Sequence, residues 1–432
     1  MKDKNKGMSA LGCGLVWFGA AVSIAEIEAG AALAPAAAGG RDPTIAAAIL
    51  LGHLLGGALL FLAMLLGART RRGGMDCAKV PFGRAGGGFF AALNLLQLVG
   101  WTAVMVAQGA GAAGELLGPR IPFGALCAGI GALVAAWIYI GLRGVGRINS
   151  VAMVLLFALT LTLSVALAAG GGDPDAVPIP PMDGPVFWFA FEMSAAMPLS
   201  WLPLAADYTK DARRPAAASA AAALVYSLVS CWMYGVGLLS AASFGADSTF
   251  AGAMVSAGLG ATALLVIVFS TVTTTFLDAY SAGESARSLW SRIPAKPFGV
   301  AVCALGTLLA ARGAMDRYLD FLYLIASVFA PMAAVLLVDG FLARRSQRSA
   351  CGLSANSACN LFAWAAGFAA YHACLGGGSP LAAAWPGAFG FLAGWASPAG
   401  ATIPSMAVAA LLVLLAPPSR IRPPLEKDPP GL

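Results

Sequence analysis

The chain has 432 residues, is 59% hydrophobic and only 11% charged, and carries a net charge of +6, with a mean hydropathy of +0.81. A soluble domain is roughly a quarter charged, so this composition excludes an ordinary water-soluble enzyme or binding module and makes lipid the main solvent. The basic excess sits in short segments between apolar runs, where it speaks for topology and not for nucleic acid.

Apolar runs of about 20 residues are long enough to cross hydrocarbon. Here they fall at 11–34, 44–68, 87–112, 121–140, 147–169, 185–205, 216–243, 256–283, 297–312, 316–340, 357–375 and 400–417. They predict an all-α integral membrane protein of about twelve transmembrane helices. A single domain over 11–417 lies between an N-terminal segment, 1–10, and a charged, proline-rich tail, 418–432, which is expected to be disordered. Lys2 to Lys6 followed by an apolar run imitates a secretory signal, but the run is too long and holds Glu26 and Glu28, so the first helix is expected to act as the insertion signal. With both termini cytoplasmic, all but Arg41, Arg120, Arg312 and Arg317 of the 26 Lys and Arg residues lie inside, as the positive-inside rule asks of a cytoplasmic membrane. Leu381 to Ser397, apolar but interrupted by Pro386 and glycines, is expected to be re-entrant or interfacial and not a thirteenth crossing.

A carboxylate at membrane depth is costly and therefore a functional candidate. Glu26 lies midway along the first span, in Ala21-Val22-Ser23-Ile24-Ala25-Glu26-Ile27-Glu28, where small, β-branched and polar residues invite unwinding; an interhelical hydrogen bond is the competing reading, favoured for Glu28. The sixth span carries Glu192 and then Met197-Pro198-Leu199-Ser200-Trp201, and a mid-helix proline removes a backbone bond and crowds the preceding turn. Interruptions five helices apart are what inverted-repeat transporters use to build a midplane site; a simple kink is the alternative.

In the third span, Asn94, Gln97, Trp101 and Gln108 form one stripe. Trp101 offers a flat face for a planar ring and Gln97 both donates and accepts, although helix-packing glue is the competing role. The eighth span places Ser270, Thr274, Asp278 and Ser281 on one face. Hydroxyls and freed carbonyls are hard ligands suited to a sodium ion, unless the threonines merely bond back to their own helix. Asp207 and Asp339 fall at cytoplasmic span ends and read as solvated termini or gate residues. The eight cysteines form no CxxC and no metal-ligand spacing with His53 or His372, so they read as buried hydrophobes with no transition metal and no cofactor.

These segments resemble the nucleobase:cation symporter family one, and within it the hydroxymethylpyrimidine transporter branch. The resemblance covers nearly the whole chain. It rests on Trp17 to Glu26, Leu95 to Met105, Gly146-Arg-Ile-Asn149, Ala196 to Leu204 with Asp207-Tyr-Thr209, Ser230-Cys-Trp-Met-Tyr234 and Phe269 to Gly283. It implies a leucine-transporter-like fold of two inverted five-helix repeats, at about 11–169 and 185–340, with extra helices at about 357–417. It also implies a substrate site including Ser23, Gln97, Trp101, Ser200 and Trp201, and a cation site of Thr273 and Thr274 with carbonyls of Ser270 and near Val22 and Ala25.

The expected function is import of a pyrimidine-type heterocycle by cation symport, with the ring against Trp101 or Trp201 and Glu26 or Asp278 accepting from its amine. Cytosine, another nucleobase, a hydantoin or an amino acid is the alternative substrate, and a proton the alternative to sodium. An integral-membrane enzyme would need a metal cluster, a nucleophile with its base or a paired-carboxylate motif, none of which the sequence offers. A monomer in the bilayer is expected.

Overall fold

The computed structural model describes residues 7–37, 43–144, 186–245, 249–256, 258–313, 318–343, 355–395 and 397–416, with a discontinuous set between 154 and 179. The Gly146 to Asn149 motif, the outer-loop residues Arg41 and Arg317, the basic trio Arg344, Arg345 and Arg348, residues 1–6 and the tail beyond 416 lie outside the described residues.

The first span is two helices, α1 (Ala10–Ala21) and α2 (Ile24–Ala31), bent by 51°. Ser9 caps α1 by accepting from the Gly12 N–H at 3.0 Å. Ser23, extended at φ −139° and ψ 153°, caps α2 by accepting from the Glu26 N–H at 3.3 Å. Ser-x-x-Glu is a helix-start signature, so a start signal is written into the middle of a membrane crossing.

The chain continues through α3 (Pro43–Thr70), α4 (Gly74–Leu117) and α5 (Phe123–Gly144). Gly83, at φ 70°, kinks α4 and separates a short helical piece rich in polar residues from the crossing itself. The sixth span is α6 (Val186–Ser200) followed by the four-residue α7 (Leu202–Ala205), with Pro198 just before the junction. Then come α8 (Pro215–Phe244), α9 (Phe250–Ser256), α10 (Gly260–Leu289), α11 (Ala295–Ala311), α12 (Tyr318–Leu337) and α13 (Ala355–Leu375). The stretch after α13 breaks into α14 (Pro380–Ala384), α15 (Pro386–Phe389) and a 3₁₀ segment, none long enough to cross, before the final α16 (Thr402–Leu415).

Among the described residues six helices are long and apolar enough to span a bilayer, and the bent α1–α2 pair makes a seventh. The helices α6, α11, α13 and α16, with the described helical residues between 154 and 168, fall on the remaining predicted crossings. The protein is a multi-pass membrane protein.

Packing reveals the internal repeat. Numbering crossings in order, the second packs on the sixth and the seventh on the first; the third packs on the ninth and the eighth on the fourth; the third and eighth, and the fourth and ninth, pack on each other. Exchanging each crossing with the one five places on maps this set of contacts onto itself, which is the property of an inverted repeat. The contact between first and seventh crossings is made by glycine. A Cβ on Gly237 of α8 would lie 1.8 Å from the Ile27 carbonyl oxygen, and one on Gly30 of α2 would lie 2.2 Å from that of Tyr234. Small residues let backbones approach this closely in lipid. Gly237→Ala must therefore push α2 away from α8 and is expected to destabilise by about 1–3 kcal/mol, the usual cost of overpacking. Thermal unfolding in detergent checks this; an unchanged midpoint would contradict the close approach.

Candidate functional site

The break in the first span lies at Val22 and Ser23. Val22 has ψ 88°, outside the helical range, and α1 therefore ends with carbonyls that have no partner four residues on. The Phe18 carbonyl still takes the Val22 N–H and the Ala21 carbonyl takes the Ser23 N–H. The Gly19 carbonyl instead accepts from the Thr274 hydroxyl of α10, at 3.3 Å. The break in the sixth span is milder: Trp201 keeps helical angles between α6 and α7, and its N–H reaches the Pro198 carbonyl at 3.3 Å.

These two breaks, α4 and α10 line a small cavity. Ser23, Ala25 and Glu26 line it from the first span, and Trp101 from α4. Ser200 and Trp201 line it from the sixth span, Thr274 and Asp278 from α10, with Met105, Met197 and Leu204 as its apolar surface. Trp201 belongs to an aromatic cluster, edge to Trp17 at 5.4 Å and to Tyr226 at 6.2 Å between ring centres. Trp101 stands edge-on to Phe321 at 5.7 Å. Both indoles are thus held by aromatic neighbours while bordering the cavity.

The two candidate carboxylates differ. Glu26 is 1% exposed, with the Tyr226 hydroxyl donating to Oε1 at 2.6 Å and Ser230 Oγ lying 2.7 Å from Oε2. Its oxygens are held by α8. Asp278 is 3% exposed, lines the cavity, and has no hydrogen-bond partner among the described residues.

Gln97 does not join the cavity lining. Its amide nitrogen donates to Asn94 Oδ1 at 2.7 Å and Asn94 donates to Ser285 of α10 at 2.8 Å, so this end of the stripe fastens α4 to α10. The far end of the stripe does similar work, Gln108 donating to Glu28. On α10, the Ser270 hydroxyl donates to the Ile267 carbonyl, and that of Thr273 to the Phe269 and Ser270 carbonyls, all on its own helix. Thr274 alone of the three reaches across to the break; Val22 forms its corner and Ala25 borders the cavity. Glu192 faces away from this site and caps α16, accepting from the Thr402 N–H at 2.8 Å and from the Thr402 hydroxyl.

Three polar residues beside the site were not singled out from the sequence: Tyr226, Ser230 and His53, which join Glu26 in one network. Tyr226 and Ser230 are four apart on α8, the spacing that puts both on one face.

One end of the bundle is closed. Asp207, expected to be a solvated terminus or a gate residue, is not solvated: it is 7% exposed and accepts from the Gly74 N–H at the start of α4, at 2.9 Å, a favourable place for an anion. The neighbouring Tyr208 hydroxyl donates to the Leu277 carbonyl at 2.6 Å, Thr209 to that of Met64 at 2.9 Å, and the Arg213 N–H to that of Met8 at 3.0 Å. Lys210 pairs with Glu284 of α10. Burial opposes the Lys210 charge, but the Asp207 and Glu284 carboxylates outweigh it and hold the ammonium above the usual lysine range.

No family model matches the sequence, and no curated protein matches it. Solved structures do match. Mhp1, a nucleobase-cation-symport-1 family transporter, in a closed conformation with bromovinylhydantoin bound, aligns with a TM-score of 0.74 at 17% identity, over 94% of this chain and 91% of that one. The inward-facing conformation of Mhp1 aligns at 0.70 and 17%, over 94% and 89%. A sodium-coupled sialic acid symporter in a substrate-bound, outward-open state aligns at 0.64 and 12% identity, over 95% and 91%.

The chain shares their fold. The leucine-transporter-like architecture implied by the sequence resemblance is thereby established, with the breaks of the first and sixth spans adjoining one cavity.

The closed end makes its own prediction. Cys13 is fully buried, its thiol 3.9 Å from the Tyr208 carbonyl. In a chain with Cys13 as sole cysteine, Lys210→Ala should speed labelling by a membrane-impermeant maleimide several-fold by loosening the Lys210–Glu284 tie. Equal labelling rates would show that the pair does not hold this end shut.

Proposed function

We propose that the protein is a cation-coupled secondary transporter for a small, planar, amine-bearing nitrogen heterocycle of the hydroxymethylpyrimidine class, working by alternating access around the two breaks. The observation that carries this reading is Asp278: a buried carboxylate without a hydrogen-bond partner among the described residues, bordering a cavity walled by Trp101 and Trp201. An uncompensated carboxylate away from water is costly. A guest that presents N–H donors removes that cost and is fixed by a charge-assisted bond, while its flat face meets an indole. A 4-aminopyrimidine supplies both features. The amide N–H groups of cytosine or of a hydantoin, bromovinylhydantoin being bound in the Mhp1 structure, fit the same logic and form the second reading.

The coupling ion has a candidate corner at Thr274. Its hydroxyl and the Gly19 carbonyl meet where α1 has ended, and hydroxyl and carbonyl oxygens are ligands suited to sodium. Thr273 and Ser270 give their hydroxyl hydrogens to carbonyls of their own helix, which leaves lone pairs on the Thr273 hydroxyl and on the Ser270 carbonyl for such an ion. A bound sodium would supply positive charge that ties α1 to α10.

In this reading the protein lies in the cytoplasmic membrane with both termini inside, which places the closed end holding Lys210 and Arg213 on the cytoplasmic face, where basic residues collect.

Asp278→Asn should weaken binding of 4-amino-5-hydroxymethylpyrimidine roughly tenfold to a hundredfold, the worth of a hydrogen bond to a charged group. Calorimetric titration of the purified protein measures it, and wild-type affinity in the variant would refute the assignment. Replacing sodium by choline at fixed pH should abolish concentrative uptake in proteoliposomes if Thr274 marks the ion site; unaltered uptake would remove sodium from the scheme.

A further inference from the structure

The network behind Glu26 can be read by counting protons. His53 of α3 places Nδ1 2.9 Å from the Ile49 carbonyl oxygen and Nε2 2.7 Å from Ser230 Oγ, and the same Oγ lies 2.7 Å from Glu26 Oε2. A carbonyl oxygen only accepts, so Nδ1 carries a hydrogen. Rotating the ring by half a turn would set carbon atoms against both partners and lose both bonds, so the orientation is determined by its neighbours.

Ser230 has one hydrogen to give and two partners to satisfy. If His53 is neutral, Nε2 is bare, the Ser230 hydroxyl donates to it, and the contact with Glu26 requires a hydrogen on Oε2. If instead Ser230 donates to an ionised Glu26, then Nε2 must also carry a hydrogen and the ring is an imidazolium. Either way the chain Glu26–Ser230–His53 holds one proton more than an ionised glutamate and a neutral histidine would. With that proton absent, one of the two 2.7 Å contacts has no hydrogen in it.

We propose that Glu26, Ser230 and His53 form a binding site for a single proton that couples to transport, separate from the ion corner at Thr274. The site joins three crossings. Glu26 sits in the first turn of α2 and borders the substrate cavity, while Ser230 and His53 are anchored in α8 and α3. Because Glu26 borders the cavity, its protonation sets the charge and the hydrogen bonds that a guest meets there. Proton occupancy and substrate occupancy are therefore linked through the shared cavity.

The surroundings leave the network as the proton's place. From α8, Tyr226 donates to the other carboxyl oxygen, Tyr234 stands edge-on to His53 with ring centres 4.8 Å apart, and Cys231 lies in the next position after Ser230. Across the cavity α10 presents Asp278. Further along α2, Glu28 is engaged by Gln108 of α4. No lysine or arginine is paired with Glu26 among the described residues, so no cationic side chain balances the charge of this carboxyl.

The chain contains two histidines, His53 and His372, which makes the test direct. Full-length protein labelled with nitrogen-15 histidine, in lipid nanodiscs, reports the protonation of each ring nitrogen, and His372→Asn leaves His53 as sole signal. The expected wild-type result is a hydrogen on Nδ1, together with either a bare Nε2 or an imidazolium, and a change of spectrum as rising pH removes the network proton. In Glu26→Gln the side-chain amide takes the place of the protonated carboxyl, so His53 should stay neutral with its hydrogen on Nδ1 at every pH. A wild-type His53 with its hydrogen on Nε2 alone would overturn the proposal, because Ser230 could then serve an ionised Glu26 with no added proton. A wild-type spectrum indifferent to pH would overturn it as well.

The coupling itself rests on the transport reading and has its own arm. Wild-type affinity for 4-amino-5-hydroxymethylpyrimidine should fall by up to roughly tenfold per pH unit above the network's midpoint, relative to Glu26→Gln, whose curve carries only the ligand's own titration. Identical curves would refute the coupling. If no pyrimidine binds at all, the substrate assignment fails while the histidine spectra still decide whether the proton is there.

Discussion

Hydrocarbon offers a peptide group no alternative partner, so a helix that stops midway across a membrane must hand its freed N–H and C=O groups to other parts of the protein. At Val22 and Ser23 this requirement is met piece by piece. The Ser23 hydroxyl restarts the helix, the Thr274 hydroxyl takes the Gly19 carbonyl, and the Glu26 side chain, free of any duty to its own helix end, turns to Tyr226 and Ser230. The break is thereby pinned to α10 on one side and α8 on the other. The cavity opens where those ties leave space.

The repeat relates the first and sixth spans, yet the two breaks do different work. The first has non-helical backbone and a polar network around it; the sixth remains nearly helical and contributes Ser200 and Trp201. Glu192 and Glu26 show the same divergence. Both are buried carboxylates in broken spans, but Glu192 caps the last helix and lies apart from the cavity, so it ties the repeat core to α16. Close glycine contacts between α2 and α8 hold the first break against its neighbours.

Much of this was legible in the residues. Apolar run length gave the crossings, and a proline in the sixth span with polar residues in the first marked the interruptions. Trp101, Asp278 and Thr274 stood out because their types are expensive or unusual at membrane depth. The stripe on α4 was legible as a stripe but not in its division: Trp101 reaches the cavity, whereas Gln97 bonds Asn94 of its own helix and Gln108 is spent on Glu28 of α2. Periodicity gives a face, and which neighbour covers each part of that face depends on tertiary packing. The threonines of α10 divide for the same reason, since a hydroxyl one position over meets its own helix instead of the break. Ser23-x-x-Glu26 was a local signal for a helix start that the apolar context concealed. The partnership of His53 with Ser230, 177 positions away in sequence, has no local signal at all.

The central claim is that the first crossing is interrupted at Val22–Ser23 and that the interruption forms one wall of the substrate site. An experimental structure in lipid with saturating 4-amino-5-hydroxymethylpyrimidine tests it most directly. The account predicts density for the ring between the break and Asp278, against Trp101 or Trp201, with the bend between α1 and α2 retained. An unbroken helix from Ala10 to Ala31, or a ligand seated away from residues 22–26, would contradict it.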